Sequence, residues 1–212
     1  MAVIARRSFL PIVLALAGCE ELRTPATPPP AVLSGAPTAG PPLRAAVEAT
    51  AAALANQGAA LAGRPADAAL ALARFEALEM EVSGGRAWPG LSPSVGYAMR
   101  TARDENRAAI GAARGAAGGD VVRALGAVAA RLRAGDRAGA EAALAAPVFE
   151  PGGTVTLDRL AEIGALPAAE QASATLAREV RRLDLDRGWS GVGNWWQSGA
   201  AGAITDGLGA GY

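Results

Sequence analysis

Alanine fills 55 of the 212 positions, and the larger apolar side chains between the alanines recur three and four residues apart. Alanine is the strongest helix former. A three-four spacing lays one apolar seam along a helix and leaves no period-two pattern for a strand. Leu43, Val47, Thr50, Leu54, Gln57 and Leu61 follow that spacing, so one helix is expected across 43–61, ended by Gly63. Pro65 suits the first turn of a second helix, expected to run to about Val82 with Leu72, Phe75, Leu78 and Val82 inward. Residues 83–93 read as a loop with Trp88 folded back onto the domain.

A third helix is expected from Ser94, its cap, with Val95, Met99, Ala102, Asn106 and Ile110 inward and a break at 115–119. Asp120 is the expected N-cap of a fourth, with Val121, Leu125, Val128 and Leu132 inward. Gly135 should stop it, and Asp136 should cap a short helix through Ala146. A loop over 147–156 and a short helix over 156–166 follow. Pro167 then opens a long helix with Leu176, Val180 and Leu183 inward. The expected fold class is all-α, a small Ala-rich bundle of helical hairpins joined by Gly-marked turns.

The missing residue types narrow the chemistry. The chain has no His, its 20 basic residues are all Arg, and Cys19 is its single Cys. That excludes Ser-His-Asp relays and His-held metal or haem. It also excludes intrachain disulfides, Cys-ligated clusters, Schiff-base lysines and the P-loop lysine. No cofactor and no metal are expected. Formal net charge is zero, and without Arg6 and Arg7 it is −2 (18 Arg against 20 acids). This balance gives no reason to expect nucleic acid as a partner.

Residues 1–19 read MAVIARRSFLPIVLALAGC. Arg6 and Arg7 precede an apolar stretch over 9–17, shorter than the ~20 residues that span a bilayer and laid out as an export signal. The stretch closes on Leu16-Ala17-Gly18-Cys19. That run resembles the bacterial lipobox: a branched apolar residue, two small residues, then Cys. The resemblance implies that Cys19 receives a diacylglyceryl group, that signal peptidase II cleaves before it, and that the new amino terminus is acylated. Two or three acyl chains give stable anchoring, at ~0.8 kcal/mol per buried CH₂. The competing reading is an ordinary secretory signal with an incidental Cys. A chain that avoids Cys everywhere else but keeps it here favours the lipobox.

Ala5-Arg6-Arg7-Ser8-Phe9-Leu10 also resembles a twin-arginine export signal, with Ala5 where Ser or Thr is usual and Pro11 where Lys is common. The general secretory route accepts two Arg as well. In the lipoprotein class, Asp after the Cys tends to hold the protein in the inner membrane. Glu20 is less decisive and leans towards the outer membrane, facing the periplasm.

The chain therefore divides into a signal peptide over 1–18, a lipidated Cys and Pro-rich tether over 19–43, a helical domain over 44–187 and a Trp/Gly-rich tail over 188–212. Pro25, Pro28, Pro29, Pro30, Pro37, Pro41 and Pro42 punctuate the tether. At ~3.1 Å per residue it would reach roughly 60–70 Å, and no packed structure is expected of it.

Five features of the mature chain, the last of them its tail, are candidates for function. Ala62-Gly63-Arg64-Pro65-Ala66 and Ala134-Gly135-Asp136-Arg137-Ala138 are alike, with Ala five residues after the Gly (Ala68, Ala140) and Leu nine after (Leu72, Leu144). They resemble the second helix of tetratricopeptide repeats, whose first-helix signature is absent. Asp184-Leu185-Asp186-Arg187-Gly188 starts like a calcium loop, but Gly188 and Trp195 stand where two ligands belong, so a charged helix end is expected. Asp104 and Glu105 lie among Arg100, Arg103 and Arg107, spaced to pair along one solvated helix face. Asn106 falls inward, as a specificity device between helices or a register error.

The tail gathers Trp189, Trp195 and Trp196 as a candidate interaction surface. These could cover the bundle, bind a sugar or protein, or rest at the bilayer interface, and the Gly-rich end could simply be disordered. The expected role is that of an exported, membrane-anchored lipoprotein, non-catalytic, binding or scaffolding at the periplasmic face of the envelope. Its expected partners are the membrane through the N-terminal lipid, the export and lipoprotein-processing machinery, and an envelope protein or glycan. The alternative is a carboxylate-based hydrolase of envelope polymers, which would need acids such as Glu76 and Asp104 to meet in a pocket.

Overall fold

The computed structural model describes residues 31–34, 42–84, 88 and 90–186. Its helices are α1 (Ala31–Ser34), α2 (Pro42–Leu54), α3 (Pro65–Gly84), α4 (Pro93–Ile110), α5 (Gly118–Arg133), α6 (Arg137–Ala143), α7 (Gly153–Ala161) and α8 (Pro167–Asp186), with a 3-10 turn over Asn56–Leu61. Among the described residues there is no strand, only an isolated antiparallel bridge between Ala112 and Phe149. The all-α bundle inferred from the sequence is the fold observed.

The centre is α3. Residues 71–79 are all buried, so this helix lacks the one-sided seam expected for it. Helices α2, α4, α5 and α7 all pack on it. Ala68, Ala69, Ala71, Ala73 and Ala77 let neighbours approach closely, while Leu72, Phe75 and Leu78 supply bulk. Complete burial also takes in Arg74, Glu76 and Glu79, and buried charge must find partners.

The outer helices keep their expected registers. Val95, Met99, Ala102, Asn106 and Ile110 of α4 are buried, as are Val121, Leu125 and Val128 of α5 and Leu176, Val180 and Leu183 of α8. Val82 and Leu132 are only half-buried. Trp88 folds back and is buried.

Tertiary contacts and caps move several ends. The first helix stops at Leu54, because Asn56, Gln57 and Gly58 take left-handed φ values of 52, 59 and 75°. Gln57 is exposed there and Gly58 is buried in its place. The turn closes on the start of α8: Leu166 N donates to Gln57 O at 3.0 Å, and Asn56 N to Glu170 Oε1 at 2.9 Å. Ser92, not Ser94, caps α4, accepting from Ser94 N. That helix ends at Gly111 in the left-handed conformation, ahead of the break expected at 115–119. Ala117 holds the N-cap position of α5, and Asp120 sits inside its first turn. Helix α6 stops at Ala143, short of Ala146, and α7 spans Gly153–Ala161, earlier than the expected 156–166.

The two matched corners are locally alike. Gly63 and Gly135 both turn with positive φ, and Ala68, Leu72, Ala140 and Leu144 are all buried. Part of the segment read as tether is packed: α1 buries Leu33, and Arg74 Nε donates to Val32 O at 3.2 Å.

Candidate functional site

Glu76 and Glu79 lie one turn apart on α3, and Arg103 and Arg107 lie one turn apart on the adjoining face of α4. Arg107 engages both Glu76 oxygens, Nε to Oε2 at 3.3 Å and Nη2 to Oε1. Their side chains are 10 % and 5 % exposed. Arg107 Nη1 donates onward to Ala116 O at 3.0 Å and Arg114 O at 3.4 Å. One guanidinium thus ties the central helix, α4 and the 111–117 loop together.

Arg103 bridges Glu79 Oε2 at 3.4 Å and Asp104 Oδ1 at 3.0 Å, while Ser83 Oγ donates to the other Glu79 oxygen at 2.6 Å. Burial alone would lower the Arg103 pKa. The Asp104 hydrogen bond and the charges of Glu79, Asp104 and Glu76 outweigh it and raise that pKa.

Beside this network opens a cleft of about 780 Å³, lined by Arg103, Asp104, Arg107, Arg114, Glu150 and Arg159 among others. Its wall is pinned by backbone. Ala113 N donates to Val148 O at 2.9 Å and Glu150 N to Gly111 O at 3.1 Å, flanking the Ala112–Phe149 bridge. Gly111 is required twice. Its φ is +76°, and a Cβ there would lie 2.5 Å from Pro151 Cγ and 2.6 Å from Arg159 Nη1. Arg159 therefore rests over the C-terminal end of α4, where the helix dipole favours a cation. Among the described residues, neither Arg114 nor Arg159 has an ion-pair partner.

Glu76 and Asp104 border one network, but Glu76 is buried behind Arg107 while Asp104 is 70 % exposed on the rim, bound to Arg103. They do not face each other as free carboxylates. The Arg/acid cluster of α4 is not a set of pairs along one solvated face. Arg107 and Arg103 reach across to α3, Arg100 stacks on the Tyr97 ring at 4.6 Å, and Glu105 Oε2 accepts from Ala168 N and Ala169 N at the start of α8. Those two amides are orphan donors of a helix N-terminus, and a carboxylate there also suits the dipole. Asn106 is buried as its register requires, with no hydrogen-bond partner for Nδ2 or Oδ1 among the described residues.

Asp184 pairs with Arg44, and Asp186 with Arg182 at 2.9 Å, as a charged helix end would. Among the described residues no group of three or more acids, His or Cys is placed to hold a metal. Arg6, Arg7, Cys19, Glu20, Trp189, Trp195 and Trp196 lie outside the described residues.

Glu79, Arg114, Glu150 and Arg159 were not found from the sequence. A signal existed for the first: Glu76 and Glu79 interleave with Phe75 and Leu78, so acids sit where a packed helix must bury them. Comparison with protein-family models, with curated proteins and with solved structures finds no match for this chain.

Proposed function

We propose that this is an exported lipoprotein, anchored through acylated Cys19, that presents a small helical binding domain at the periplasmic face of the cell envelope. The observation that carries the proposal is Leu16-Ala17-Gly18-Cys19, placed after Arg6, Arg7 and a short apolar stretch in a chain with no other Cys. Among the described residues no helix is long and apolar enough to cross a membrane, so none of these supplies a second, spanning attachment. Glu20 after the Cys favours the outer membrane, and the Arg6-Arg7 context favours the twin-arginine route.

The packing of α1 refines the geometry of attachment. Cys19 and Ala31 are twelve residues apart, so the free reach between lipid and docked chain is at most about 40 Å. That is well short of the reach of a tether extended over 19–43. A binding role suits the cleft, whose fixed wall and arginine lining can hold a ligand. It suits Glu76 too: a general acid or base needs an oxygen free to reach substrate, and both Glu76 oxygens are engaged by Arg107. Trp189, Trp195 and Trp196 belong to the proposal as a second contact surface, for an envelope protein or glycan.

Fractionation with palmitate labelling tests the anchor. The chain should pellet with membranes and take up label, and Cys19→Ala should do neither. A Cys19→Ala protein that stays in the membrane fraction at the original level would overturn the proposal.

A further inference from the structure

The cleft contains two kinds of arginine. Arg103 and Arg107 have committed their donors to Glu79, Asp104, Glu76 and two backbone carbonyls. Arg114 and Arg159 line the same space, each with five N–H donors and no ion-pair partner among the described residues. The committed pair builds the wall, and the uncommitted pair, both exposed, borders an opening of about 780 Å³. That volume lies within the roughly 300–1,000 Å³ of small-ligand sites.

The geometry points to this cleft as a binding site for a small soluble oxyanion, a carboxylate or phosphate, held by Arg114 and Arg159. Three observations carry the assignment. Guanidinium is planar and offers paired donors that match the oxygens of carboxylate and phosphate. Both arginines are mounted on a preorganised frame. The carbonyl of Arg114 is held by Arg107, and Arg159 lies over a Gly111 that admits no side chain between them. A Cβ at Gly115, by contrast, would meet nothing within 4 Å, so that part of the loop borders open space through which a ligand can enter. Glu150 shares the lining and limits the excess positive charge, which fits a ligand of one or two charges and disfavours a polyanion.

This inference deepens the binding role proposed above and rests on it. It is tested in solution, on the full chain carrying Cys19→Ala, so its failure is distinguishable from failure of the anchor. Inorganic phosphate and succinate are titrated at constant ionic strength while the arginine Nε–H NMR signals are followed. Saturable one-to-one binding is expected, with Arg114 and Arg159 shifting and the two probes competing. Arg114→Gln and Arg159→Gln should each weaken binding about tenfold. Glu150→Gln should tighten it, and Arg178→Gln, on the exposed face of α8, should leave it unchanged.

Unsaturable shifts that affect Arg178 as strongly as the cleft arginines would overturn the assignment, as would full affinity in both cleft variants. Vesicles of phosphatidylglycerol separate a lipid headgroup from a free anion. Vesicle binding that depends on Arg114 and Arg159, without binding of free phosphate or succinate, would overturn the small-anion assignment.

Discussion

Arg107 and Arg182 illustrate two uses of one side chain. Arg182 holds Glu179 at 2.8 Å and Asp186 at 2.9 Å, three residues back and four ahead on the same helix, with half its surface in water. Arg107 holds Glu76, 31 residues away on another helix, and both are buried. The first arrangement joins neighbours that the helix has already brought together. The second fixes how α3, α4 and the 111–117 loop sit against one another, and so fixes the cleft. An exposed pair is weakened by solvent and salt. A buried pair is costly to form and costlier to break, because removing one partner strands the other charge away from water. The contrast is one of partner and burial, not of residue type.

The largest expected effect breaks the buried side. Glu76→Ala leaves the Arg107 charge uncompensated and should lower unfolding stability by about 3–5 kcal/mol, measured by urea titration. Gly111→Ala comes next. It places a Cβ in a left-handed position against Pro151, and the backbone cost alone is about 1–2 kcal/mol. The same change should displace Arg159, so it should also perturb that side chain's NMR signal.

Asn106→Leu sharpens the comparison from the opposite direction. Asn106 is as buried as Glu76 but makes no hydrogen bond among the described residues, so an apolar side chain of similar size should stabilise by about 1 kcal/mol or more. The same urea titration checks it, and destabilisation would mean that Asn106 has a partner.

The smallest effect is on the solvent side and depends on pH. Glu179 is held below its ordinary value of 4.5 by the hydrogen bond from Arg182, and Asp136 below 3.8 by the backbone N–H of Gly139 and then by Arg131. For both, the folded value lies below the unfolded one, so the unfolded chain takes up protons first as pH falls. Their contribution is present above the ordinary values and is lost as pH falls through the folded ones. Stability should be level above about pH 5 and decline below it, with a shallower decline in Glu179→Gln, measured by denaturation at pH 7 and pH 3.5.

The same contrast explains what was legible in the sequence. Spacings of three and four give the seams of α4, α5 and α8, and Asp136 after Gly135 gives the cap of α6, because all of these are local. The all-α class follows from them. The burial of α3 on every side was not legible, because its alanines carry no periodic signal and only tertiary packing shows which faces are covered. The α4 cluster misled for a related reason. Local spacing offered Asp104 as a partner for Arg107, whereas burial brought Glu76 within reach. The turn at Asn56–Leu61 escaped for want of any local stop signal beyond Gly58. It closes only because Leu166 donates to it and Glu170 accepts from it, each more than a hundred residues on. Of the cleft, Arg103, Asp104 and Arg107 were visible as charges, but nothing local joined them to Glu150 or Arg159.

If Arg107 and Glu76 act as one buried tie that shapes the cleft, the effects of removing them must be strongly non-additive. Paired double-mutant cycles test it most directly, Glu76→Gln with Arg107→Gln against Glu179→Gln with Arg182→Gln. A coupling of about 2 kcal/mol or more is expected for the first pair, and one of about 0.5 kcal/mol or less for the second. Equal couplings in the two cycles would contradict it.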